Sequence, residues 1–335
     1  MKKKTCMILS LAALTLLGCN KEGTQGVTSP AAQPMLFSAS NVQTKAVFAA
    51  GDDGTLEWSA YDNLGVYSFN GAALVHNGFA SMKNYTGSEA VFSSADSRAT
   101  WAGSADNLTF YAYYPQLSAP EAGYNTGTGK VSLNVPTTQN GEFGKYHICY
   151  ASTDISAEDL TAGDPVNFEF SPKTSMIRIR PIISAESDID EIKIRQVIIT
   201  IADDKSIAGD CSLALATGAL TADDVTSAIT VKLDEAVTIT KTAASNPYFT
   251  AVLLPSVTDN AVLSFYALAA DGTRFNMARK LSPAQFQPGM RYNVDRKITV
   301  SVSDAPDAQY VDGGYAWGYI PVEEDGAYTD GGYAW

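Results

Sequence analysis

Leu108-Thr-Phe-Tyr-Ala-Tyr-Tyr114 sets an apolar residue at every second position, and that two-residue period recurs along the chain. It returns in Val131-Ser-Leu-Asn-Val135, in Val166-Asn-Phe-Glu-Phe170 and in residues 176–180, where Ile177 and Ile179 alternate with Arg178 and Arg180. Side chains repeat their direction every two residues in a strand, so each run reads as a strand with one buried and one wet face. Residues 192–201 keep the β-branched content but change phase near Arg195-Gln196, as a bulge does. Glycine- and aspartate-bearing clusters at 51–54, 124–129 and 270–273 punctuate the runs as turns. Only 156–160 and 282–286 suggest helix, about one turn each, the second with Pro283 at its first position. The fold expected is therefore all-β, built as antiparallel β-sandwiches rather than alternating βα units.

The N-terminus sets the compartment. Lys2, Lys3 and Lys4 precede an apolar stretch at 7–17 that ends in Leu16-Leu17-Gly18-Cys19. The stretch is too short to span a membrane and has the layout of an export signal. Its ending resembles the bacterial lipobox, in which the cysteine is lipidated and the chain is cut just before it. Cys19 is thus the expected lipid site and 1–18 the signal peptide. Loss of the three lysines takes the net charge from −13 to −16. Such a surface repels phosphate backbones, which argues against a nucleic-acid partner. Residues 19–34 read as a flexible tether whose part after Cys19 would reach on the order of 50 Å when extended. A boundary in 161–165, Thr-Ala-Gly-Asp-Pro, separates β domains at 35–162 and 163–303, and a tail occupies 304–335.

Catalytic chemistry is thin. The two histidines, His76 and His147, belong to no metal-binding or nucleophile motif. His147 and Cys149 stand two apart, but no third group orients them, and Cys149 and Cys211 read as buried thiols. Gly123-Tyr-Asn-Thr-Gly-Thr-Gly-Lys130 is one residue too long for a phosphate loop and reads as a turn. Glu323, Glu324, Asp325 and Asp330 lack calcium-loop spacing. The chain reads as a non-enzyme without metal or cofactor.

Several stretches together resemble the fimbrillin family, the lipoprotein-derived pilins of Bacteroidetes. They are Phe37-Ser-Ala39, Thr44-Lys45-Ala46, Trp58, Asp62-Asn-Leu-Gly-Val-Tyr67, Leu108-Thr-Phe-Tyr-Ala-Tyr-Tyr-Pro115, Val166-Asn-Phe-Glu-Phe170, Phe249-Thr-Ala-Val-Leu-Leu-Pro255 and Phe286-Gln-Pro-Gly-Met-Arg-Tyr292. The resemblance implies two transthyretin-like β-sandwich domains in tandem and subunits that polymerise with other pilin subunits by strand exchange. It implies an outer-membrane lipoprotein precursor that a trypsin-like protease cuts beyond the first strand, after which the subunit stands in a cell-surface pilus. Lys21 and Lys45 are the basic residues between Cys19 and Trp58, and only a cut at Lys45–Ala46 would remove strand residues. An adhesion ligand on a host or bacterial surface is left unidentified.

The tail is the natural donor. Asp312-Gly-Gly-Tyr-Ala-Trp317 repeats as Asp330-Gly-Gly-Tyr-Ala-Trp335, each copy preceded by Tyr310 or Tyr328. Tyr315, Trp317, Tyr319 and Pro321 share one face of an extended chain, and Ala316, Gly318, Ile320 and Val322 the other. After the acidic turn at 323–326, Tyr328, Tyr333 and Trp335 would belong to a second strand. Residues 310–335 hold no Lys or Arg, which would spare them from a trypsin-like protease. Other readings stay open: a tail packed on its own C-terminal domain, exposed aromatics stacking on sugars in a surface glycan-binding lipoprotein, and a pilus tip adhesin.

Overall fold

The computed structural model describes residues 33–40, 58–86, 89–94, 100–101, 107–116, 124–141, 143–156, 158–159, 163–201, 205–224, 226–258, 262–269, 271–280, 284–298 and 333–334. Their regular structure is strand, apart from short 3-10 turns at Phe143–Tyr146 and Ala243–Ser245. The fold is all-β.

The alternation read from the sequence is met at individual residues. In Ser175–Ile183, Ile177 and Ile179 are buried and Arg178 and Arg180 half-exposed. The phase change near Arg195 is a bulge, because Glu191–Ile201 slips register against both neighbours between Ile194 and Gln196. The glycine-rich stretch before Lys130 is a hairpin joining Tyr124–Asn125 to Lys130–Val135, with Gly129 at φ 66 closing the turn. One expectation fails. Residues 284–286 are a strand paired with Ser256–Thr258, not part of a helical turn. Phe286 is buried in the core, a gain of about 1.5–3 kcal/mol for such a ring, whereas a lone helical turn must meet an unfavourable nucleation step.

Two apolar centres organise the chain. The first lies inside an eight-stranded sheet ordered Pro165–Glu169, Leu36–Ser40, Glu89–Ser93, Ala73–Thr86, Asn63–Asn70, Leu108–Tyr114, Cys149–Ile155, Ser171–Pro172. Its two end strands are separated in sequence by Phe170 alone, so the sheet curls until its edges approach. Phe37, Leu64, Phe92, Phe110, Phe168 and Trp58 fill the interior. The second centre lies between a five-stranded sheet and a four-stranded one, with Val197, Ile199, Ile229 and Phe265 from the former meeting Ile177, Ile179, Phe249 and Val294 from the latter.

Strand pairing crosses the line at 162/163 in both directions. Pro165–Glu169 and Ser171–Pro172 join the first sheet. Lys130–Val135 pairs with Gly209–Ala214, and Thr138–Gln139 runs parallel to Ala228–Thr240. Gln139 is wholly buried, and its side-chain amide exchanges two 2.8 Å hydrogen bonds with the Val252 backbone, as a strand neighbour would. A layer of rings, Tyr67, Tyr113, Tyr111, Tyr124 and Tyr150, packs with Val131 and Leu213 between the first sheet and the small sheet formed by Gly209–Ala214 and its neighbours.

Candidate assembly interface

Leu36–Ser40 is a short strand held on both sides. Leu36, Phe37, Ser38 and Ala39 pair antiparallel with Ser93, Phe92, Val91 and Ala90. On the other side Leu36 to Ser40 run parallel to Pro165 to Glu169. Its entrance is fixed by Ser94, whose hydroxyl accepts from Met35 N–H at 2.8 Å while its own N–H donates to Met35 O at 3.0 Å. Just before it, Gln33–Pro34 pairs with Thr100–Trp101.

The inward face of this strand is Met35, Phe37 and Ala39, all buried. Phe37 stacks on Phe168 at 5.9 Å and meets Phe110 edge-on at 6.5 Å. Withdrawing the strand would forfeit that burial and leave two ladders without partners. The loss is on the order of 10 kcal/mol from side chains and backbone together, comparable with the about 5–15 kcal/mol that holds a whole domain folded. Any subunit that lost this strand would need another in its place.

Beside Ser38, Ala39 and Ser40 lies a hollow of about 410 Å³, lined also by Asn84, Tyr85, Glu89 and Asn167.

The motif around Gly65 has a local explanation. Asp62 accepts hydrogen bonds from Ser59 N–H at 2.6 Å and from Tyr114 Oη–H at 2.9 Å. Burial raises the Asp62 pKa despite these bonds. Gly65 is required by contact, since a Cβ there would lie 2.1 Å from the Tyr113 ring. Tyr67 stacks on that same ring at 6.2 Å, and burial pushes its hydroxyl up to about 12. Trp58 packs edge-on to Phe92, Tyr114 and Phe170.

Cys149, Cys211 and His147, considered for chemistry, lie in the interior. Cys149 and Cys211 are buried thiols outside any disulfide, the Cys211 thiol pushed up to about 12 by burial and by Asp223 and Asp210. His147 is buried against Thr174, its Nδ1 2.7 Å from the hydroxyl oxygen. Among the described residues no group of three or more His, Cys, Asp or Glu is placed to hold a metal ion.

A profile of the family described as "Fimbrillin-like" matches residues 44–306. The chain belongs to the fimbrillin-like family. No curated protein sequence matches it. Its fold is shared with a solved putative cell adhesion protein from Bacteroides uniformis, at 18% identity and TM-score 0.55, covering 79% of this chain and 93% of that one. A second, from Bacteroides ovatus, matches at 16% identity and TM-score 0.50, covering 80% of this chain and 96% of that one.

In this fimbrillin-like protein Cys19, Lys45, Ala46, Tyr310, Tyr315, Trp317, Tyr319, Ile320, Val322, Tyr328 and Trp335 lie outside the described residues. Tyr333 lies within them: Tyr333–Ala334 is a two-residue strand paired antiparallel with Arg291 and Met290. Sequence reasoning missed the walls of the groove. Pro165–Glu169 reads as an ordinary strand, and nothing local shows that its partner is 129 residues away, the separation between Asn167 and Ser38.

Proposed function

We propose that this fimbrillin-like protein is a structural pilus subunit, exported as a lipoprotein on Cys19 and displayed at the cell surface. A trypsin-like protease cuts at Lys45–Ala46, Leu36–Ser40 departs, and the tail of another subunit enters the groove. Assembly then supports adhesion. The observation that carries this reading is the position of Leu36–Ser40. It is an interior strand by pairing, yet it stands near the chain start and is joined to the sheet on its C-terminal side through the segment that contains Lys45.

Most interior strands cannot be removed by one cut, because both ends continue into the fold. Here a cut at Lys45 would leave Leu36–Ser40 and the preceding Gln33–Pro34 held to the subunit by pairing alone. Tyr315, Trp317, Tyr319, Ile320 and Val322 would supply the replacement strand, backbone groups completing the ladders and alternate side chains filling the interior.

The test is limited proteolysis of the mature protein with a trypsin-like protease. A new N-terminus at Ala46 and multimers that vanish when 310–335 are deleted are expected, and Lys45→Gln should block both. An intact N-terminus, or multimers indifferent to the tail, overturns the proposal.

A further inference from the structure

Strand register gathers a set of polar side chains on the outside of the first sheet. Ser38 lies opposite Val91 on one side and Asn167 on the other, and Val91 lies opposite Asn84. Asn167, Ser38, Val91 and Asn84 thus form one row across four strands, roughly 14 Å long at about 4.8 Å per strand spacing. The next outward row holds Thr86 opposite Glu89, with Ser40 at the end of the neighbouring strand. The row between them, Phe168, Ala39 and Ala90, is buried in the core, as alternation requires. Both outward rows line the hollow of about 410 Å³, and Tyr85, 44% exposed, lines it too.

These groups hold unspent hydrogen-bonding capacity. Ser38 donates its hydroxyl proton to Asn167 Oδ1, a bond that leaves the Asn167 amide N–H groups unused. Among the described residues Ser40, Asn84, Thr86 and Glu89 make no side-chain hydrogen bond. The lining therefore offers amides and hydroxyls, which both donate and accept, and a carboxylate, which accepts. Other ligand classes meet obstacles in the same residues. Glu89 is the one charged lining residue, in a chain of net charge −13, and this opposes a phosphate or sulfate. A divalent cation asks for more carboxylate than Glu89 alone provides. A peptide cannot add here as a strand, because Leu36–Ser40 is already paired on both sides.

We infer that this hollow binds a neutral sugar residue of a glycan. Its ring hydroxyls, each a donor and an acceptor, bond to Asn84, Asn167 and Glu89, and its apolar C–H face lies on the Tyr85 ring. The volume falls within the about 300–1,000 Å³ of small-ligand sites. The binding does not rest on the strand-exchange reading above. The site is that of the uncut chain, since Ser38 and Ser40 stand on the strand that the proposed processing removes.

The experiment is saturation-transfer NMR on the uncut chain with Cys19→Ser. The neutral probes are glucose, galactose, mannose, fucose and N-acetylglucosamine, and N-acetylneuraminic acid is the anionic one. At least one neutral sugar should bind with a Kd on the order of millimolar, because each hydrogen bond at a wet surface adds little net free energy. The anionic sugar should not bind. Asn84→Ala, Asn167→Ala and Tyr85→Ala alter exposed side chains and should each weaken binding by at least about threefold. Tyr61→Ala removes a ring that is 92% exposed and outside the hollow, and should leave binding unchanged. Equal thermal midpoints of the sugar-free variants establish that the fold is kept. No signal from any neutral sugar, equal binding of the anionic one, or binding indifferent to Asn84, Asn167 and Tyr85 overturns the inference. Sugar binding by a chain that never multimerises on proteolysis leaves the site standing and removes strand exchange alone. Multimers from a chain blind to every sugar do the reverse.

Discussion

Phe37→Ala tests whether Leu36–Ser40 leaves the subunit on processing. In the uncut chain Phe37 is fully buried, against Phe168 at 5.9 Å and Phe110 at 6.5 Å. Its strand is pinned by ladders on both sides, so the backbone cannot collapse into the space the ring vacates. Truncation should therefore cost about 3–5 kcal/mol and lower the melting midpoint by on the order of 10 °C. Under the proposed cleavage at Lys45 the position would belong to the incoming strand, and multimers of the variant would be chemically the same as those of the unsubstituted chain. Phe92→Ala is the control, because Phe92 faces Phe37 in register, is equally buried, and remains in the processed subunit. Calorimetry on the uncut chain and on protease-treated multimers should show Phe37→Ala weakening the first alone and Phe92→Ala weakening both. An equal loss in the Phe37→Ala multimers would refute removal of this strand.

The described contacts carry three further expected outcomes. Thr174 Oγ1 accepts from Ile148 N–H at 3.1 Å and lies 2.7 Å from His147 Nδ1, in the interior. Burial lowers the His147 pKa from 6.5 to about 4, so the folded state binds this proton less readily than the unfolded chain. Stability should be full above pH 6.5, fall as the pH drops toward 4, and level off about 3 kcal/mol lower; urea titrations should trace this slope, and His147→Gln should flatten it. Gly65→Ala forces a Cβ to within 2.1 Å of the Tyr113 ring and should cost about 1–3 kcal/mol or more, with a changed near-ultraviolet circular dichroism from the tyrosine layer. Arg180→Ala removes a two-pronged bond to Asp295 at 2.9 and 2.7 Å, but with side chains 22% and 47% exposed the thermal midpoint should record a loss below about 1 kcal/mol.

The range of each interaction decides how much of it can be read from the chain. Leu108–Tyr114 is legible as a strand because alternation is local, and the bulge near Arg195 is legible because a slip of phase is local too. Asp62 and Gly65 are visible as letters of a motif, but the reasons for them, the Tyr114 hydroxyl and the Tyr113 ring, come from a strand some fifty residues on, Asp62 and Tyr114 being 52 apart. The parallel pairing of Leu36–Ser40 with Pro165–Glu169 leaves no sign in either segment, since the same five side chains would suit an antiparallel neighbour equally well. The tail makes the same point most sharply. Its two copies have identical six-residue sequences and hence identical local preferences, so no propensity or pattern can assign them different tasks. Only the surroundings that each copy meets, in its own fold or in an assembly, can do so.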